Sequence, residues 1–286
     1  RRVGENTDTD SNTLTFEWEE QTIDGGIRLP LLGPGGRFAS EVTLSDHIAF
    51  TRISDFANSI DGGGRIITTD LPQYIFRNYA DRGTLIHNRF SVEITRLLKQ
   101  SRRDINSKWG QALFMNVLST PGGSSFSAQQ FSFYGIGYFP GLFKHHSLWG
   151  YWAYQKTKID RPQGEGLKNY LFRNLVPLPR GQGIRRFQEF YSMSANYTLP
   201  IWYPDVALGP IINFQRLRGN VFFDYGFGQS NIFTPESMTY MSTGVELKVD
   251  LNVMRFYPRF DIGVRFSRGL TPSTTEFEVL IGSFNF

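Results

Sequence analysis

Strict alternation of apolar and polar residues dominates the last third of the chain. In residues 244–253 the two sets are Val245, Leu247, Val249, Leu251 and Val253 against Gly244, Glu246, Lys248, Asp250 and Asn252. Successive side chains of a β-strand point to opposite faces, so this period of two predicts a strand whose two faces meet different environments. Segments 191–201, 217–227 and 259–267 repeat the pattern.

The rest of the chain adds weaker strand signals. Segments 42–50 and 90–94 alternate clearly, and the chain ends in one more strand-like segment. Aromatic residues fall on both faces of the remaining candidates, which are 13–31, 108–119, 126–140 and 145–157. Together these give about 11 strands. Residues 55–83 and 159–186 lack alternation and contain Gly and Pro, so they are predicted to be long loops.

The length of the apolar faces favours a membrane barrel. A tilted strand needs about 9–11 residues to cross a bilayer, and the clear segments have that length. The polar face would then line the lumen, whereas in a small soluble sandwich it would face solvent. We therefore predict an all-β fold, a transmembrane antiparallel up-and-down β-barrel occupying residues 1–286, with long extracellular loops. Bacterial barrels close with an even number of strands, so either a strand was missed or the front of the barrel lies outside this chain.

Composition is consistent with one apolar and one wet face. The 286 residues include 26 Phe, 13 Tyr, 5 Trp and 29 Gly, yet the mean hydropathy is −0.30. No window approaches the roughly 18 consecutive apolar residues of a membrane-spanning helix. The chain has no Cys, which excludes disulfides and thiolate chemistry. Its net charge of +4 is spread along the sequence, so no nucleic-acid partner is expected.

The chain ends in a strand-like segment with a terminal aromatic residue. Leu280, Gly282, Phe284 and Phe286 share one parity in this segment. The ending resembles the C-terminal β-signal by which the outer-membrane assembly machinery recognises its clients. The alternative is a terminal strand that ends in Phe by chance.

Two motifs resemble the Omp85 superfamily of outer-membrane barrels. The first is Leu178-Pro179-Arg180-Gly181, and the second is Phe222-Phe223-Asp224-Tyr225-Gly226. In that family a long extracellular loop folds into the lumen and presents an Arg-Gly-aromatic motif, while a later strand has a Phe-x-Asp-x-Gly-like motif. Five strands follow the loop motif in the family, and five are predicted here. The alternative is a Pro-Arg-Gly turn on an ordinary loop.

The resemblance implies a role for the loop at 159–186. Arg180 would lie in the lumen, where a desolvated guanidinium needs carboxylate partners. Asp224 and Glu246, on the predicted lumen faces of neighbouring strands, are the candidate partners. Gln182 departs from the family, which usually has Phe or Tyr there, and the packing role of the loop is therefore open.

The segments 197–205 and 215–218 resemble the barrels of large surface-antigen proteins, some of which, of the Bacteroidetes type, have a TolB-like periplasmic propeller. On this resemblance the full barrel would have 16 strands with about 11–12 in this chain, and an N-terminal domain would lie outside it. The resemblance implies a Gram-negative outer-membrane protein that assists insertion or translocation of proteins. Its partners would be outer-membrane lipids, lipopolysaccharide and client or partner proteins. The alternative is a passive pore or a structural anchor in a larger complex.

No enzymatic chemistry, cofactor or metal is expected. The sequence lacks the hydrolase elbow, the zinc-protease motif and the phosphate-binding loop that would predict such activities. Of its four His residues, His145 and His146 are expected at the membrane interface, His47 in a lumen hydrogen bond, and His87 at a strand start without an obvious partner. An outer-membrane enzyme is the third and least favoured hypothesis.

Overall fold

A computed structural model gives the fold of the chain. It describes residues 2–7, 13–33, 35–60, 64–66, 83–101, 103–158, 168–169, 172, 174–182, 187–209, 212–230, 236–253 and 260–282. Among these residues the secondary structure is entirely β. They contain no helix that is long and apolar enough to cross a membrane.

Twelve strands follow one another in a single antiparallel, up-and-down sheet. In sheet order they are β1 (Arg2–Thr7), β2 (Thr13–Leu32), β3 (Phe38–Ile60), β5 (Gly83–Leu98), β6 (Gly110–Ser119), β8 (Gln129–Pro140), β9 (Ser147–Lys158), β11 (Glu189–Trp202), β13 (Ile212–Ser230), β14 (Glu236–Val253), β15 (Phe260–Thr271) and β16 (Ser273–Ile281). Short strands β4 (Gly64–Ile66) and β12 (Val206–Leu208) extend it beside β3 and β13, and β7 (Phe126–Ser127) pairs in parallel with β10 (Lys168–Asn169).

The prediction of an all-β antiparallel chain with 11–12 strands is confirmed, but both predicted loops contain strand residues. Lys168 and Asn169 of the predicted loop 159–186 form β10. Residues 55–60 were predicted as loop, but they continue β3 and pair with β2. Residues 64–66 of the same predicted loop form β4. The sequence also missed β1, which is short and pairs along its whole length with β2. In each case backbone pairing with a neighbouring strand forms a strand that the side-chain pattern does not mark.

The sheet buries its polar side chains and exposes its apolar ones, which is the reverse of a soluble protein. In the alternating segments of β11, β13, β14 and β15 the polar side chains are buried or partly buried, and Asp224, Ser242 and Ser267 have no exposed surface. The apolar side chains beside them are exposed, by 50% at Val221, 51% at Val245 and 46% at Phe266 among others. We call these the polar face and the apolar face. The predicted division of the four clear strands into two faces holds for the described side chains, except at Leu251, which was assigned to the apolar face and is only 8% exposed.

The apolar face is continuous across neighbouring strands. Register places Val245 of β14 beside Phe266 of β15, and Phe266 beside Phe277 of β16. Leu247 and Val264 lie side by side in the next exposed row. Residues in contact across a sheet form one surface, so the exposed apolar area is a single wide band.

The polar face is covered by an irregular segment that precedes β11. We call Phe172 and residues 174–182 the strap. Val176 of the strap packs with Ala153, Phe187, Phe190 and Tyr240 in a buried apolar cluster. The hydrophobic core therefore lies between the strap and the polar face, and the opposite face has no comparable cover among the described residues.

Candidate functional site

Arg180 of the strap lies in the most densely hydrogen-bonded part of the polar face. Its Nε and Nη2 donate to the two carboxylate oxygens of Asp224, each at 2.7 Å, and its backbone N–H donates to Asp224 Oδ2 at 3.0 Å. Nη1 donates to Glu246 Oε1 at 3.1 Å. Nη2 also donates to Ser194 Oγ and Asn196 Oδ1. A paired, bidentate guanidinium of this kind is strongly oriented.

The structure thus brings Arg180 together with both carboxylates that the sequence selected. The strap supplies the cation, β13 supplies Asp224, and β14 supplies Glu246. Burial alone would lower the pKa of Arg180, but the hydrogen bonds and charges of Asp224 and Glu246 raise it above its ordinary value. The guanidinium therefore remains charged, and its charge is held between two strands by ion pairs.

An aromatic ring lies beneath the guanidinium. The Arg180 Cζ atom lies 3.5 Å from the centroid of the Phe222 ring, which is 2% exposed. The Phe222 ring in turn lies over Gly244, where an added Cβ would lie 2.6 Å from the ring and 2.2 Å from the backbone oxygen of Phe266. The absence of a side chain at Gly244 therefore leaves room for the ring, and the ring stabilises the cation.

Charged residues continue the network towards the last strand. Arg265 Nε donates to Glu246 Oε1 at 2.7 Å, and Arg265 Nη1 donates to Glu278 Oε2 at 3.0 Å. Arg180, Glu246, Arg265 and Glu278 thus alternate in sign from the strap to β16. Each charge has an opposite neighbour, which offsets the cost of removing it from water.

Gly181 and Gln182 connect the strap to the final hairpin. Gly181 has a φ of 68°, and its ideal Cβ would lie 2.3 Å from the Cβ of Ser267. Thr274 Oγ1 donates to the Gly181 carbonyl at 2.8 Å. Gln182 Nε2 donates to Met241 O at 2.7 Å and Thr271 O at 3.1 Å. The pairing of β14 with β15 shifts register just after Met241, so the amide of Gln182 binds backbone carbonyls at a site of irregular pairing.

The C-terminal motif is only partly within the described residues. Leu280 is half-buried and pairs with Gly263, on the same face as Glu278, and the Gly282 N–H donates to Asp261 O. Phe284 and Phe286 lie outside the described residues. The exposed large apolar side chains of β16 are Phe277, Val279 and Ile281.

A second charged cluster lies near the other end of β13. Arg216 binds Asp250, and its Nη1 donates to the backbone oxygen of Asp104 at 2.8 Å. Arg218 bridges Asp250 and Asp261 at 2.8 and 3.0 Å. A cavity of about 350 Å³ is lined by this cluster. The connection 99–109, between β5 and β6, is thereby attached to β13 across the polar face.

The Asp104 side chain fixes the connection 99–109 locally. His145 Nδ1 lies 2.9 Å from its Oδ1, and Ser101 N donates to its Oδ2 at 3.1 Å. Burial would raise the pKa of Asp104, but these hydrogen bonds and the charge of Lys108 lower it below the ordinary 3.8. His145 was predicted at the start of a strand; it lies instead in the preceding turn, with a φ of 67°.

Asp104 makes the stability of this connection depend on pH. Because its folded pKa is lowered, the ionised carboxylate stabilises the fold above its unfolded pKa, and this contribution is lost as pH falls through the folded value, below 3.8. The stability difference between wild type and Asp104→Asn, measured by denaturant unfolding from pH 6 downwards, should shrink in that acidic window. A difference that stays constant with pH would contradict the assignment.

Potential metal-binding side chains and the contacts of the remaining His residues complete the description of the site. The portion of the chain that the structure describes contains no group of three or more His, Asp or Glu residues placed to bind a metal ion. His146 Nδ1 lies 2.8 Å from Tyr197 Oη, and the His87 ring contacts Phe172 edge-on at 5.7 Å.

Several residues of the site were not selected from the sequence. They are Ser194, Asn196, Phe222, Gly244, Arg265 and Glu278. Alternation placed Ser194, Asn196, Gly244 and Arg265 on polar faces, and Phe222 belongs to the Phe-x-Asp-x-Gly motif, so a signal existed for five of the six. What was missing was the strand register, which decides which of many polar residues face Arg180.

No family model matches the chain, and a search of the curated proteins found no significant relative. The class is therefore defined by fold and site alone: an all-β protein with one large antiparallel sheet, whose buried polar face holds an arginine on a covering strap.

Proposed function

We propose that this sheet forms the wall of an outer-membrane β-barrel of the Omp85 type, which assists insertion or translocation of proteins at the outer membrane of a Gram-negative bacterium. The observation that carries the proposal is the inverted exposure of the two faces. A water-soluble sheet buries its apolar face, whereas a membrane barrel exposes it to lipid and keeps polar groups inside. Monomeric soluble proteins rarely expose an apolar band that crosses this many strands.

The strap lies across much of the sheet. Phe172 contacts His87 of β5, while Gly181 lies against Ser267 of β15 and accepts a hydrogen bond from Thr274 of β16. Strands β5 and β16 are eight neighbours apart in the sheet. A single short segment that contacts both is what we expect of a loop folded into a barrel lumen.

Closure of the barrel requires its edges to be paired. The edge strands of the described sheet are β1 and β16. In a closed barrel both edges would be paired. Exposed strand edges do not occur in the hydrocarbon region, because each unpaired N–H and C=O group there costs several kcal/mol.

The Arg180 site supports the Omp85 assignment specifically. An Arg-Gly turn on a strap that lies against the Asp of a Phe-x-Asp-x-Gly strand is the arrangement that the resemblance implied. In a passive pore the polar face would need to remain open to solute, yet the strap and the connection 99–109 both lie across it. This covering favours an assisting role over a passive pore.

Membrane embedding is tested by Val245→Arg on the apolar face. In water, a charge at a half-exposed site changes stability by about 0.5 kcal/mol or less, whereas an Arg near the bilayer midplane costs about 2–4 kcal/mol. We expect the larger cost, measured as the free energy of unfolding in lipid vesicles. Leu208→Arg, in the short strand β12 near the sheet end, is the control and should cost no more than about 1 kcal/mol. Equal small costs at both sites would argue for a soluble sheet.

The assisting role is tested with vesicles that contain the purified protein. An unfolded outer-membrane barrel added to these vesicles should fold faster than with empty vesicles, and Arg180→Ala should reduce the acceleration. Conductance across planar bilayers is measured in parallel. Open-pore conductance without acceleration of folding would favour the passive pore.

A further inference from the structure

Four connections with described residues lie at one end of the main sheet. They include residues 33 and 35–37, 99–101 and 103–109, 141–146, and 203–209, and each follows an upward strand at the same end. Backbone and side-chain hydrogen bonds join all four. Lys99 N donates to Arg37 O at 2.9 Å, and Tyr203 Oη donates to Arg103 O at 2.9 Å. The contact between His145 and Asp104 joins the connections 141–146 and 99–109. We therefore treat these connections as one surface, the rim.

The rim is strongly basic. Its described residues include the cations Arg37, Lys99, Arg103, Lys108 and Lys144 against the acids Asp104 and Asp205. Asp104 is buried and paired with His145 and Lys108. The side chains of Lys99, Arg103 and Lys144 are exposed to solvent. The exposed charge of the rim is therefore predominantly positive.

Large apolar side chains alternate with these cations. Leu142 is 85% exposed and Phe143 is 69% exposed, directly before Lys144 in the same turn. Trp109 and Trp202, 53% and 63% exposed, lie at the end of the adjoining strands. Indole rings and long basic side chains beside exposed apolar residues are typical of the boundary between hydrocarbon and headgroups.

We propose that the rim binds the anionic headgroups of phospholipids in the leaflet that faces this end of the sheet. The inference rests on the proposed membrane function. Phe139 and Leu148, exposed on the strands that flank the turn 141–146, continue the apolar face up to Leu142 and Phe143. A bilayer covers this face and the rim together, because its hydrocarbon meets the strands while its phosphates meet the cations. A protein docked on the rim would leave the strands uncovered.

The test compares brominated phosphatidylglycerol with brominated phosphatidylcholine as quenchers of Trp fluorescence in vesicles. A Lys or Arg near an anionic surface changes partitioning about fivefold. We expect at least about a fivefold preference for the anionic lipid, reduced to near parity by Lys99→Gln, Arg103→Gln and Lys144→Gln together. The rim hydrogen bonds of Lys99 and Arg103 use backbone atoms and survive these substitutions. Salt of roughly 1 M should have the same effect in wild type, since it shortens the screening length to about 3 Å.

The matched control removes three exposed cations at the other end of the sheet, Arg52, Lys156 and Lys158, each replaced by Gln. This variant should keep the lipid preference. Equal quenching by the two lipids in wild type, or a preference that the rim variant retains or the control loses, would overturn the inference. Equal quenching by the two lipids in wild type would favour an acidic protein as the partner of the rim. Absence of quenching by either lipid would instead overturn membrane embedding itself.

Discussion

Replacement of Arg180 by Ala is expected to destabilise the protein by about 3–5 kcal/mol, the range for removing one member of a buried ion pair. Asp224, with no exposed surface, would lose the two hydrogen bonds from the guanidinium and keep those from the backbone N–H of residue 180 at 3.0 Å and from Ser194 at 2.5 Å. Glu246 would keep Arg265 and suffer less. The measurement is the free energy of unfolding in denaturant, with protease cleavage of the strap as a local readout.

Two further variants separate the buried charge from general damage. Arg180→Ala combined with Asp224→Asn should be more stable than Arg180→Ala alone, because the unpaired charge is gone. Arg268→Ala removes an exposed guanidinium that binds the hydroxyls of Thr275 and Ser273, and should cost about 0.5 kcal/mol or less. If Arg180→Ala unfolds at the same denaturant concentration as Arg268→Ala, the ion pair does not hold the strap.

Gly181→Ala should detach the strap tip from the final hairpin, at a cost of about 2–5 kcal/mol. A non-glycine residue at a φ of 68° costs about 1–2 kcal/mol, and overpacking adds about 1–3 kcal/mol. The added Cβ would lie 2.3 Å from the Cβ of Ser267, a fully buried strand residue that cannot rotate away. Hydrogen exchange of the hairpin around Thr274 should rise together with the loss of unfolding free energy.

Two controls separate the cost of the contact with Ser267 from the cost of the positive φ at position 181. Gly123 also has a positive φ, 94°, but its Cβ would meet nothing closer than 3.6 Å, so Gly123→Ala should show only the conformational cost. Adding Ser267→Gly to Gly181→Ala removes the overlapping atom and should restore most of the lost stability. A double variant as unstable as Gly181→Ala would show that Ser267 is not the obstacle.

The strand pattern was predictable because each clear strand meets two different environments. When every second residue is polar, as in 244–253, the polar side chains of a strand all lie on one face. Alternation alone therefore predicts both the strand and its polar face. Strands β6, β8 and β9 gave a weaker signal since their polar sides also contain aromatic residues such as Tyr134 and Tyr151, which pack against the apolar cluster beneath the strap. β1 and the end of β3 escaped because backbone pairing, rather than a side-chain pattern, makes them strands.

The charge pairing in the site was predictable from the sequence, but the full set of residues was not. A guanidinium predicted to leave water needs carboxylates, and that requirement led to Asp224 and Glu246. It could not lead to Phe222 or Gly244, because the ring lies under Arg180 only through the pairing of β13 with β14. The contacts of Gln182 were unpredictable for the same reason. Its amide binds carbonyls at a register shift between β14 and β15, and a register shift has no signature in the residue pattern.

By itself, then, the sequence determined that the chain forms β-strands, where the clearly alternating strands lie, which of their faces is polar, and which charged groups need partners, because these depend on local periodicity and on the cost of an unpaired charge. The tertiary structure decided which strands lie side by side, that the strap crosses the polar face, and that the connections at one end join into a basic rim. Those features depend on contacts between residues far apart in the chain, whose relative positions are set by strand register and sheet curvature.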